Sequence, residues 1–192
     1  MEPATPTKAR VPRVYRKRAS AAASSVASSA PSRRGPSREE RLVILSMDLL
    51  GGAKALKIQV LKNQPYSRIE LHKAMRQGAF SYAVLDTLLA GLGALKRKDV
   101  ADVLGVSTRT LDRQRTAPER SMPADLASRT WMLAETMAKA SEVFGGVQQA
   151  EAWMDKPAMG LDGCRPIEML QTLQGVEVVN DFLTRLEYGV YS

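Results

Sequence analysis

From Glu39 onward the apolar residues of this chain recur at helical spacing, in stretches that glycine or proline cuts short, and no strand-like alternation persists. Apolar positions three and four apart line one face of a helix, whereas a half-buried strand needs a period of two. That pattern confines the chain to the all-α class, with helices burying their stripes on one another. The first run, Arg41-Leu-Val-Ile-Leu-Ser-Met-Asp-Leu-Leu50, ends against Gly51-Gly52. A short apolar stretch from Ala55 to Leu61 is ambiguous in type, and Pro65 closes it. Ser67 with Glu70 three residues on fits a capping box, and Ile69, Leu71, Ala74 and Met75 form a stripe that Gly78 stops. Ser81 to Leu92 carries Tyr82, Leu85, Leu88 and Leu89 at helical spacing before Gly93.

Farther along, Asp125 is expected to cap a long amphipathic helix that runs to about Phe144 and breaks at Gly145-Gly146. Gln148 to Met154 make one more helix, and Pro157, Gly160 and Gly163 mark a loop. Pro166 suits the first turn of a short helix, where its missing N–H would be unpaired anyway. Gly175 is expected to separate that helix from the last, whose stripe is Val176, Val179, Leu183 and Leu186. The methionines of this half read as core filler.

Where the charge lies matters more than its sum. Residues 1–38 hold nine Lys and Arg against Glu2, which is the whole of the net charge of +8. They are rich in Ala, Ser, Pro and Arg, and a segment so poor in large apolar side chains cannot bury enough surface to offset its ordering entropy. Residues 1–38 are therefore expected to be a disordered basic arm, either attracting phosphate without sequence preference or serving as a leader without function. Of the rest, Lys96 to Arg115 carries six basic and three acidic residues, and Asp125 to Ser192 carries five basic and ten acidic. A basic centre and an acidic final third suggest two partners of opposite character.

Catalytic classes find little to work with. One cysteine, Cys164, and one histidine, His72, assemble neither an intrachain disulfide nor a structural zinc site, and no Ser/His/Asp set or phosphate-cradling glycine loop is present. The chain is expected to be no enzyme and to need no cofactor. No stretch approaches the roughly 18 apolar residues of a spanning helix, so the expected location is the cytoplasm, away from membranes.

The most specific local signal is Lys98-Asp-Val-Ala-Asp-Val-Leu-Gly-Val-Ser-Thr-Arg-Thr-Leu-Asp-Arg113. It predicts a first helix with Val100, Ala101 and Leu104 inward, a left-handed turn at Gly105, and a second helix that Ser107 caps and Leu111 packs back. A helix-turn-helix over about 98–115 puts its second helix into the DNA major groove. Ser107, Thr108, Arg109, Thr110 and Arg113 are the outward candidates on that helix, and Lys96, Arg97, Lys98 and Arg115 are placed to grip phosphate. An ordinary helical hairpin with a solvated basic face is the competing reading.

From Arg76 onward the chain resembles the Xre/MbcA/ParS antitoxin family. The resemblance rests on Arg76-Gln-Gly78, Ala101 with Leu104-Gly-Val-Ser107 and Thr110-Leu111, Ala140-Ser-Glu-Val-Phe-Gly145, Ala150-Glu-Ala-Trp153, Leu161-Asp-Gly163, Pro166-Ile-Glu-Met-Leu170, Thr172 with Gly175, and Leu186-Glu-Tyr-Gly-Val190. It implies a dimeric antitoxin that represses its own operon through operator DNA and neutralises a RES-type toxin acting on NAD. It also implies that the extreme C-terminus, Tyr188, Gly189, Val190, Tyr191 and Ser192, lies at the toxin's cleft, with Glu187 leading into it.

Trp153 beside Phe144 reads first as core of the final third and second as an anchor for the toxin. The resulting division is a disordered arm over 1–38, a helical region with the helix-turn-helix over 39–122, and a helical toxin-binding domain over 123–192. A stand-alone transcription regulator, whose last third only dimerises or senses a ligand, remains the alternative.

Overall fold

The computed structural model describes residues 36–56 and 68–189. The arm up to residue 35, Pro65, the expected cap Ser67, most of the Ala55–Leu61 stretch, and Val190, Tyr191 and Ser192 lie outside the described residues. Among those described the chain is all-α, with an isolated antiparallel bridge between Ser81 and Ser121 as its one β-type pairing. The helices are α1 (Arg38–Leu49), α2 (Gly52–Ala55), α3 (Arg68–Arg76), α4 (Tyr82–Gly91), α5 (Arg97–Leu104), α6 (Thr108–Gln114), α7 (Ala124–Phe144), α8 (Val147–Met154), α9 (Pro166–Met169) and α10 (Leu173–Glu187), with a single 3-10 turn at Met159–Leu161. None of them is long and apolar enough to cross a membrane.

The first helix shows how local chemistry sets a boundary. Ser37 accepts a hydrogen bond from the Glu40 N–H at 3.3 Å, and the Glu40 carboxylate accepts one from the Ser37 N–H at 2.7 Å. This reciprocal box satisfies two otherwise orphaned donors, so the helix opens at Arg38, ahead of the expected Glu39.

The spine of the fold is α7, which touches α1, α3, α5, α8 and α10. It can do so because it is buried on several sides, through Leu126, Ala127, Trp131, Leu133, Ala134, Met137, Ala138 and Ala140. Its apolar stripe is broad enough to face neighbours on more than one side, and its alanines let those helices approach closely. One apolar core runs from Met47 through Phe80, Leu104 and Leu133 to Leu183. Burying a residue such as Leu183 contributes roughly 1.5–3 kcal/mol over leaving it in water.

Two expectations about helix ends change. The residue before α7 is Pro123, with no side-chain cap, and Asp125 sits inside the first turn; there its charge favours the positive end of the helix dipole without capping it. Gly175 does not separate two helices, because α10 already begins at Leu173, capped by the Thr172 hydroxyl, which accepts from the Gly175 N–H at 3.1 Å. Gly175 is a point of close approach: a Cβ there would lie 1.9 Å from the Met169 carbonyl oxygen. Pro166 does open α9 at its first position.

Candidate functional site

The helix-turn-helix segment folds as its residues dictate. In α5, Val100, Ala101, Val103 and Leu104 are buried; Gly105 turns the chain at φ 70°, and α6 packs back through Leu111 and Gln114. Ser107 caps α6 by accepting from the Thr110 N–H at 3.1 Å, and its hydroxyl lies 2.9 Å from that of Thr110. These two side chains thus stabilise the N-terminal end of α6. Thr108, Arg109 and Arg113 are exposed on α6.

The basic residues around the motif are unequally engaged. Arg97 donates to Asp112 through both Nε (3.1 Å) and Nη2 (2.8 Å), tying α5 to α6. Lys98 donates to Asp102 at 3.0 Å, one turn along, and that hydrogen bond holds its ammonium above the ordinary lysine value. Arg115 approaches Asp86 at 3.9 Å. Arg109 and Arg113 form no ion pair with any described residue, which leaves their guanidinium forks for an outside partner.

Residues from the last third hold the start and end of α5. Glu151 of α8 is 3% exposed, and its Oε1 accepts from the backbone N–H groups of Ala94 at 3.0 Å and Leu95 at 3.3 Å. Arg165 donates to Asp99 at 2.5 Å, to Glu168 at 2.6 Å, to the Asp155 backbone carbonyl at 3.0 Å, and to the Asp155 carboxylate. The hydrogen bonds it donates to Asp99, then to Asp155 and Glu168, hold the Arg165 guanidinium above even the usual arginine range. At the other end, Arg129 of α7 donates to the Val103 carbonyl at 3.2 Å. The contacts made to α5 and the two residues before its cap are not visible to local pattern, because those pairs lie 26 to 66 residues apart.

At the C-terminal end, Trp153 is half-buried between Phe144, at a centroid distance of 4.9 Å, and the parallel ring of Phe182 at 6.1 Å. Glu187 pairs with Arg38, and the same guanidinium donates to the Tyr188 hydroxyl at 3.4 Å and lies 5.6 Å from its ring centre. Tyr188 is nonetheless 66% exposed. Nearby, Lys139 donates to the Asn180 carbonyl at 2.6 Å and the Thr184 hydroxyl at 2.7 Å; its burial, and then the charge of Arg38, pull its pKa below the ordinary lysine value. Gly189, at φ 66°, ends the helix in the left-handed region. Leu173 and Val178 are further exposed apolar residues of α10, and Met159 of the 3-10 turn is 94% exposed.

Residues 139–189, from the last turns of α7 through α10, match the family described as the antitoxin Xre/MbcA/ParS C-terminal toxin-binding domain. An Antitoxin Xre of Yersinia enterocolitica is 32% identical over 114 residues, which cover 59% of this chain and 76% of that protein. The chain belongs to the Xre/MbcA/ParS antitoxin family. A second Antitoxin Xre, from Pseudomonas putida, is 28% identical over 124 residues, covering 64% of this chain and 74% of its own length. The span that matches the toxin-binding domain includes Trp153, Glu187, Tyr188 and Gly189, and also Glu151 and Arg165, which local sequence patterns did not single out. The exposed residues of α6 lie outside that region, on a separate segment of the antitoxin.

Proposed function

We propose that this antitoxin has two binding activities: neutralising a RES-type toxin that degrades NAD, through residues 123–192, and repressing its own operon, through operator DNA bound by the helix-turn-helix in residues 39–122. It acts by binding, without catalysis of its own. The observation that carries the DNA half is the α5–Gly105–α6 geometry with Arg109 and Arg113 exposed on the capped helix and in no ion pair with a described residue. Such a guanidinium can pair bidentately with guanine O6 and N7, and Lys98 and Arg115 lie where phosphate would pass, with Ser107, Thr108 and Thr110 at the groove-facing end. The toxin half is supported by the family match over 139–189 and by the resemblance of the tail, which implies a role for Tyr188 to Ser192 in or beside the toxin's cleft.

A dimer fits this reading, since helix-turn-helix proteins engage two half-sites about one helical turn apart. The test is a pair of assays on one preparation. The protein should shift DNA from upstream of its own gene as a dimer, and should co-purify with the RES-type toxin of its operon. A folded protein that does neither would overturn the proposal, and one that binds DNA without the toxin would make it a stand-alone regulator.

A further inference from the structure

The inference concerns what aims α6, and it rests on the operator-binding reading above. We propose that Glu151 and Arg165, both inside the toxin-binding region, are positioning residues for DNA recognition, holding the start of α5 so that α6 is presented in one pose. Glu151 is a carboxylate almost wholly out of water, and a charge in that setting is tolerated only with strong hydrogen bonds in return. It finds them in the N–H groups of Ala94 and Leu95, the two residues immediately before Lys96, the N-cap of α5. Its negative charge also lies at the end of α5 where the helix dipole favours an anion.

Arg165 seizes the same turn from its side chains. Asp99, in the first turn of α5, is 13% exposed at its side chain, and its carboxylate meets an Arg165 side chain that is 20% exposed. The other donors of that guanidinium are fixed by Asp155 at the end of α8 and by Glu168 of α9, so its position is set by the toxin-binding region before it reaches α5. The pose is passed to α6 through the Arg97–Asp112 pair, the buried Leu111 and the three-residue turn that opens at Gly105. A site that must meet base edges needs its supporting residues locked, since small displacements lose contacts.

The test uses the full chain with Arg165→Ala, Arg165→Lys and Glu151→Ala, measured for operator affinity, toxin affinity, melting temperature and amide exchange. Arg165→Ala and Glu151→Ala should each weaken operator binding about tenfold, the loss of roughly one good base contact, and should weaken it more than they weaken toxin binding. Arg165→Lys keeps the charge but not the planar fork, and should recover part of the loss. In Glu151→Ala the Leu95 amide should exchange faster without DNA present, a readout that does not depend on operator binding. Folded variants with unchanged operator affinity would overturn the proposal. So would operator and toxin affinities falling together with the melting temperature, because that marks a merely structural role. Arg109→Ala, in the same assay, separates the two failures: if it leaves operator binding untouched, the recognition-helix reading falls first and the positioning role with it.

Discussion

At the scale of single residues the molecule uses arginine in two opposite ways. Arg97 and Arg165 spend their guanidinium groups inside the protein, on Asp112 and on Asp99, Asp155 and Glu168, whereas Arg109 and Arg113 present theirs outward. Replacing Arg109 or Arg113 by alanine should therefore weaken operator binding by ~1–3 kcal/mol where the side chain reads a base, with less effect where it meets only phosphate. Toxin neutralisation in cells should persist in both variants, and a folded variant losing both activities would contradict the assignment of α6. Gly175 makes a different demand. Gly175→Ala drives a methyl group onto the Met169 backbone oxygen, which cannot swing aside as a side chain would, so it should cost ~1–3 kcal/mol or more through forced backbone shifts. A thermal melt unchanged by that substitution would show that α9 and α10 are not packed as described.

Element by element, local signals were legible and distant ones were not. Gly105, the Ser107 cap and the buried Leu111 follow from rules that act within a few residues, and the helix-turn-helix could be placed from them. The Ser37–Glu40 capping box obeys the same kind of rule and was there to be found. Asp125 was misplaced because an acidic residue serves equally as a cap or as a first-turn charge, and only the neighbouring Pro123 backbone decides between them. Gly175 was misread because a helix-ending glycine and a close-packed one look alike in sequence; the difference lies in a carbonyl from α9.

The tail illustrates the same limit. Glu187 and Tyr188 were picked out by resemblance, but their clasp by Arg38, 149 and 150 residues away, depends on α1 lying along α7. Deleting Glu187 to Ser192 removes that half-exposed ion pair, worth about 1 kcal/mol or less, while the buried Val179 and Leu183 remain. The truncated protein should stay helical by circular dichroism and still shift operator DNA, yet fail to rescue growth under toxin co-expression, because an aromatic anchor in a desolvated pocket can carry ~2 kcal/mol or more. Rescue by the truncation would move neutralisation to the surface around Met159 and Leu173.

For the whole molecule, the consequence of a single core is that the helix-turn-helix and the region matching the toxin-binding domain are built on one scaffold. The toxin-binding region contributes Glu151 and Arg165 to the first helix of the helix-turn-helix, and α7 contributes Arg129 to its end. Charge is divided along this scaffold: a basic centre suited to the polyanion proposed as its partner, and an acidic last third that can speed encounter with a basic surface. The central claim is that the antitoxin silences an NAD-degrading enzyme by direct binding. Its most direct test is the NAD content of cells expressing the RES-type toxin of the same operon, with and without the full-length antitoxin. The account predicts that NAD collapses with toxin alone and returns to the level of toxin-free cells when the antitoxin is present. NAD that stays depleted beside abundant, folded antitoxin would contradict it.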